Sequence, residues 1–219
     1  MTEQLTIRQE TEQDYRAVEE LTREAFWNLN VPGCCEHALL HKLRDHEDFI
    51  PELDFVAELD GVLAGHIAYS RAWIERDGGG RFEILCFGPV SVRPDCQGKG
   101  IGSTLIRHSL KKAKQAGYPA VCILGDPGYY SRFGFHSGER YDIRLADGRY
   151  AVPLQALELQ HGALNGVTGR FIESTGFEIT EEATERYDST FPPKKKEETE
   201  SQKRFQVLSG LIYSIGDFL

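Results

Sequence analysis

The stretch Gly88-Pro-Val-Ser-Val-Arg-Pro-Asp-Cys-Gln97-Gly-Lys-Gly-Ile-Gly-Ser-Thr-Leu105 constrains this chain more than any other. It reads as a strand, a short glycine-rich loop and the first turn of a helix. Gly98, Gly100 and Gly102 remove side chains where the loop must turn several backbone N–H groups to one side. A helix opening at that point adds its own unpaired N–H groups and the positive end of its dipole. Such a loop is a seat for a pyrophosphate or a similar polyanion.

Two well-known phosphate loops do not fit. The nucleotide-triphosphatase loop requires Gly-Lys followed at once by Ser or Thr, and here Lys99 precedes Gly100. The dinucleotide fingerprint requires Gly-x-Gly-x-x-Gly, and Gly98-Lys-Gly-Ile-Gly102-Ser103 breaks that spacing.

The remaining pattern predicts a mixed α+β chain. Leu5 and Ile7 alternate with polar residues as in a first strand, and Thr11 with Asp14 opens a helix from about Glu12 to Asn28. Pro32-Gly33 breaks that helix, and Leu39 or Leu40 with Leu43 marks a second, shorter one. Phe55–Leu59, Asp60-Gly61 and Val62–Ile67 form a hairpin signal, with the second arm running on through Trp73. Asp77–Gly80 turns the chain into the strand Phe82–Val92 that feeds the loop. The helix after the loop carries Ile106, Leu110 and Ala113 on one stripe and ends in lysines before Gly117. Ala120–Leu124 is a further strand, and Tyr150–Leu159 is extended. Thr180–Lys203 is rich in Glu, Lys and Thr around Pro192-Pro193 and reads as a solvated linker, partly helical after the prolines. Phe205–Tyr213 is apolar again and has to dock, either on its own domain or on a second subunit of a homodimer.

Composition limits what such a chain can do. With 219 residues, 40% of them hydrophobic and 27% charged, it describes one soluble domain plus an extension. No apolar run approaches the ~20 residues that cross a bilayer, and the first residues lack a basic segment followed by an apolar one, so a cytoplasmic location is expected. The net charge of −9 argues against nucleic-acid binding and agrees with a cationic amine as substrate. The five cysteines, at 34, 35, 86, 96 and 122, lack the Cys-x-x-Cys spacing of a zinc knuckle, and no disulfide framework is indicated. Cys86 and Cys122 in apolar strands read as small hydrophobes. Cys34-Cys-Glu-His37 with His41 reads as a solvated helix face rather than a metal site.

Gln97-x-x-Gly100-x-Gly102, preceded by Val90-Ser-Val-Arg-Pro94, resembles the acyl-CoA pyrophosphate loop of the GNAT superfamily of N-acetyltransferases. Leu124-Gly-Asp-Pro-Gly-Tyr-Tyr130-Ser-Arg-Phe-Gly-Phe135 is similar to the segment in which that family places a short helix bearing a tyrosine. That segment and Gly162–Gly169 look like a bacterial branch of predicted acetyltransferases, and the resemblance spans residues 4 to 177. It implies a mostly antiparallel central sheet flanked by helices and splayed at the acyl-CoA site. The corresponding division is a domain over 1–178, with a core over 4–150, then a charged linker and apolar segment over 179–219.

The resemblance also implies a chemistry. Acetyl-CoA would be the co-substrate, without a metal, and the acceptor a small-molecule or peptide amine. Val90, Ser91 and Val92 would hold the pantetheine arm and the thioester carbonyl. Gln97, Gly98, Lys99, Gly100, Ile101, Gly102 and Ser103 would seat the pyrophosphate. Pro89, without an N–H, suits an edge or bulge in such a strand. Tyr130, with Tyr129 beside it as a competitor, is the candidate acid for the leaving thiolate. Glu83 is the candidate base, with Asp126, His66 and a water chain as alternatives. A non-catalytic acyl-CoA sensor or assembly module is the rival reading.

Overall fold

The structure, a computed structural model, describes residues 3–214. Among them, β1 (Leu5–Gln9) is followed by helices α1 (Tyr15–Phe26) and α2 (Glu36–Arg44). Three long strands come next: β2 (Phe55–Leu59), β3 (Val62–Arg76) and β4 (Arg81–Val92). Asp60 and Gly61 take φ of 52° and 77°, the left-handed pair that the Asp-Gly hairpin signal requires. Helix α3 (Ile101–Gln115), β5 (Ala120–Leu124) and the short helix α4 (Pro127–Tyr130) complete the segment around the loop. Small strands then fill the far side: β6 (His136–Ser137), β7 (Ile143–Arg144), β8 (Tyr150–Ala151), β9 (Leu154–Glu158) and β10 (Gly169–Ile172). Helices α5 (Glu181–Asp188) and α6 (Glu200–Ser209) and strand β11 (Ile212–Tyr213) end the described chain.

The sheet order is β1-β2-β3-β4-β5-β9-β6. β3 is long enough to serve two partners in succession, β2 along Val62–Ile67 and β10 along Trp73–Arg76. β4 and β5 run parallel and pair only at Leu85 and Val121, so the sheet parts on either side of that contact. On its other edge, β4 is irregular against β3. Ile67 faces Val90 and Tyr69 faces Phe87, so three steps along β4 match two along β3. Gly88 and Pro89 absorb the extra residue, and Pro89 has no N–H to lose from the ladder.

Both faces of the sheet are covered. Phe55 and Ala57 join a cluster that includes Leu105, Ile106 and Ala113 of α3, while Val56 packs with Val18, Leu40 and Leu43 of α1 and α2. That alternation is the two-residue period of a strand buried on both sides. Burying side chains such as Leu105 and Ile106 completely contributes roughly 2 kcal/mol each. α3 ends in paired bonds from Gly117 N–H to the Lys114 carbonyl and from Tyr118 N–H to that of Ala113, with Gly117 at φ 90°. No described helix is long and apolar enough to cross a membrane.

The structure corrects the reading of residues 180–203 as a solvated linker. Thr180 Oγ1 accepts from Ala183 N–H and caps α5, which packs on α2 before the prolines, in addition to α6, which begins after them at Glu200 as expected. Two of its polar side chains reach buried partners, Asp188 Oδ1 lying 2.6 Å from Arg23 Nε and the Tyr187 hydroxyl donating to Glu19 at 2.5 Å, while most of its other charges stay exposed. Phe191 is buried, with the Arg16 guanidinium 3.5 Å over its ring. α2 is corrected with it. His37 is fully buried, 3.0 Å from Asp188, so the face is covered at Cys34 and His37, while His41 stacks on Tyr187 at 4.1 Å and keeps its other side exposed. Burial pushes the His37 imidazolium down to about 4. The apolar C-terminal segment docks on its own chain, where Ile212 and Tyr213 pair with Ala151 and Tyr150.

Candidate active site

Past Val92 the chain makes a single 3-10 turn, Pro94–Cys96, and enters the glycine loop. Gly98 and Gly100 adopt φ of 77° and 83°, where an L side chain is strained. The first helical bond runs from Thr104 N–H to the Gly100 carbonyl. The N–H groups of residues 98 to 103 donate to no acceptor among the described residues. They are what a diphosphate requires, and the open space around Gly98 and Gly100 leaves room for one. Gln97 is used differently from the expectation: its Nε2 donates to the Val92 carbonyl at 3.1 Å and ties the loop to the strand. Lys99 points to Glu3, 3.2 Å away, and does not line the cavity.

The parted sheet opens into a cavity of about 1010 Å³ lined by the loop, β4, α4 and α6. Val90 and Val92 face it. The Ser91 side chain, one residue out of phase, turns away and hydrogen-bonds Thr22 of α1 at 2.9 Å. Across the opening, Asp126 Oδ1 accepts from Gly128 N–H at 2.8 Å and starts α4, with Pro127 at its first position. Gly125 is needed there because a Cβ on it would meet the Tyr130 ring at 2.3 Å. The Tyr130 ring sits 5.9 Å from Phe87 and 5.7 Å from Phe135, and its hydroxyl has no hydrogen bond among the described residues. Burial, reinforced by Tyr129 and Cys86, raises its pKa well above the ordinary phenol value. Tyr129 stands at the loop instead, its hydroxyl 3.4 Å from where a Cβ on Gly102 would lie.

Glu83 is not brought to this site. It lies on the exposed, opposite end of β4, 3.8 Å from Arg71 and outside the cavity. The carboxylate the structure supplies is Glu173, directly after β10. It opens to the cavity, its Oε1 lies 4.0 Å from Cys86 Sγ, and the surrounding protein pushes its carboxyl up. No motif marks it; the pairing of β10 with β3 carries it there. Glu36, at the start of α2, is a second carboxylate in the lining, also raised by burial. It accepts from Asn30 Nδ2 at 3.2 Å and from Cys35 N–H at 3.0 Å.

Comparison with known proteins agrees with this geometry. Residues 15–135 match the acetyltransferase (GNAT) family. The chain belongs to the GNAT acetyltransferase family. It is 32% identical over 166 residues to the uncharacterized N-acetyltransferase YhbS of Escherichia coli K12, covering 75% of this chain and 93% of that protein. The crystal structure of a YhbS from E. coli in complex with CoA superposes with a TM-score of 0.69 at 29% identity, covering 81% of this chain and 93% of that one. A GNAT acetyltransferase from Brucella melitensis in complex with acetyl-CoA gives 0.64 at 31% identity, covering 80% and 99%. The GNAT fold expected from the sequence, an open and mostly antiparallel sheet between helices, is therefore the one present.

Within this GNAT chain the other base candidates are occupied. Asp126 pairs with Arg204 of α6. His66 is fully buried on β3, its Nε2 2.6 Å from Asp54 Oδ1 and 3.7 Å from Glu10 Oε1. Burial alone would lower the His66 imidazolium, but Asp54 and Glu10 outweigh it and raise its pKa to about 9. These three side chains converge as metal ligands could, yet Arg44 already lies 2.6 Å from Glu10 Oε1, so the cluster is neutralised by cations of its own.

Proposed function

We propose that the protein acetylates a primary amine from acetyl-CoA by direct attack within a ternary complex. One observation carries this reading: the free amides of residues 98–103 open onto the same cavity as the unbonded hydroxyl of Tyr130. That two relatives are crystallised with CoA and with acetyl-CoA supports the same occupant. Acetyl-CoA would supply the thioester. Gly98 to Ser103 hold its diphosphate by backbone N–H groups and the dipole of α3. The β4 backbone beyond the bulge, at Val90 to Val92, orients the acyl arm where the sheet has parted.

Glu173 takes a proton from the incoming ammonium, and its raised pKa brings the carboxylate nearer the amine it must deprotonate. The amine nitrogen bonds the acetyl carbon, the carbon–sulfur bond breaks, and Tyr130 gives its proton to the departing sulfur; the proton that the nitrogen sheds on becoming an amide passes to solvent, and solvent re-protonates Tyr130. A phenol kept protonated by burial is a donor over the whole working pH range.

The test is free-thiol release from acetyl-CoA against a panel of amines. Tyr130→Phe is expected to slow transfer about 100-fold, with acetyl-CoA affinity nearly unchanged. An unchanged rate removes the role of Tyr130. Tight acetyl-CoA binding with no amine-dependent thiol across the panel would instead mark a binding module.

A further inference from the structure

Helix α6 crosses from the α1–α2 turn to the start of α4. Near its N-terminus, Thr199 Oγ1 donates to the Asn28 carbonyl at 2.8 Å and Ser201 Oγ to that of Leu29 at 2.7 Å. Farther along, Arg204 pairs with Asp126, and after the helix Val152 N–H donates to the Leu211 carbonyl at 2.9 Å. Between these ties Phe205 and Leu208 line the cavity. Phe26, Leu29, Leu39 and Phe177 add to its apolar wall.

The charges in that wall are of one sign. Glu36 and Glu173 have no Lys or Arg within ion-pair distance among the described residues. The two arginines in the lining are engaged elsewhere. Arg204 belongs to Asp126, and Arg132 lies 4.7 Å over the Tyr129 ring beside the glycine loop. A carboxylate on an acceptor beside Glu36 and Glu173 would therefore meet two like charges, while Arg132, the lining cation without a carboxylate partner among the described residues, stands with Tyr129 beside the glycine loop. An ammonium meets complementary charge, and an apolar body meets the wall. α6 takes up room along this wall that a polypeptide acceptor could otherwise use.

We propose, on the acetyl-transfer reading above, that the acceptor is a small apolar primary amine without a carboxylate. Glu36 selects it against the matching amino acid, and α6 supplies part of its apolar seat. Glu36 is a specificity residue here, while proton removal belongs to Glu173.

The experiment uses matched pairs with the full chain: phenethylamine against phenylalanine and tryptamine against tryptophan, with spermidine and a tripeptide alongside. The amines should exceed their amino acids in kcat/KM by about 100-fold. Glu36→Gln, which removes the charge and keeps one accepting oxygen for the Cys35 N–H, should shrink that ratio about tenfold at unchanged acetyl-CoA affinity. Leu208→Ala, on the half-buried face of α6, should raise KM for tryptamine about tenfold. Equal rates for an amine and its amino acid, a preference for spermidine or the tripeptide, or a ratio unmoved by Glu36→Gln would overturn the inference and leave acetyl transfer standing. Absence of transfer to every compound, with acetyl-CoA bound, would overturn both.

Discussion

The two halves of the cavity are built by opposite means. The coenzyme half comes from one contiguous run, Val90 to Ser103, and offers mainly backbone: N–H groups, a helix dipole and glycines that keep side chains out. The acceptor half is gathered from the α1–α2 region, the turn after β10 and α6, and offers side chains. Backbone recognition needs only a particular local chain path, which a short sequence can impose. Side-chain recognition needs segments far apart in sequence to be packed together, and it can change acceptor without touching the phosphate seat.

That division can be broken most sharply at Gly100. Gly100→Pro deletes one loop N–H and cannot reach φ 83°. Acetyl-CoA affinity should fall about 1000-fold, from a lost anion contact plus backbone strain, while circular dichroism shows the fold retained. Normal acetyl-CoA affinity in that variant would show that the loop is not the seat. In the acceptor half, Glu173→Gln should lower kcat about 100-fold without weakening acetyl-CoA binding. It should also remove the rising limb of the pH–rate profile, which in the native protein lies above the ordinary carboxylate range because Glu173 must be ionised to accept a proton. A surviving limb would place the base elsewhere.

The buried support of the coenzyme half gives a smaller, pH-linked effect. His66 pairs in register with Ser91 on β4, and its pKa is raised from 6.5 to about 9 in the folded state. A raised imidazolium stabilises the fold fully below its unfolded pKa and ceases to do so as pH climbs through about 9. Thermal stability should fall by roughly 3 kcal/mol between pH 6 and pH 10 from this group, and His66→Gln should flatten the slope. The smallest expected change is at Glu83. Glu83→Gln should leave kcat/KM within about twofold, as for a surface substitution outside the site; a large loss would restore it as a functional residue.

What the sequence conceals follows the same line. Gly98, Gly100 and Tyr130 sit in patterns whose local geometry is nearly forced, and the structure places all three on one cavity. Glu83 was assigned by its position on the right strand, but β4 is long enough for its two ends to serve different surroundings. Glu173 and Glu36 sit in no motif; each matters because of the strand or helix that packs beside it. The Glu- and Lys-rich segment from 180 to 203 misled for a related reason. Its composition is that of a solvated chain, and the counterparts Glu19, Arg23 and His37, buried on α1 and α2, turn Tyr187 and Asp188 inward while most of its other charges stay exposed.

By itself, then, the sequence determined the glycine loop, the hairpin beside it, the tyrosine helix and the family they belong to, because each depends on backbone conformations that nearby residues dictate. Only the tertiary structure decided which carboxylates line the cavity, where α6 lies and which charges are buried. Those outcomes depend on contacts between segments up to 174 residues apart, which no local pattern encodes.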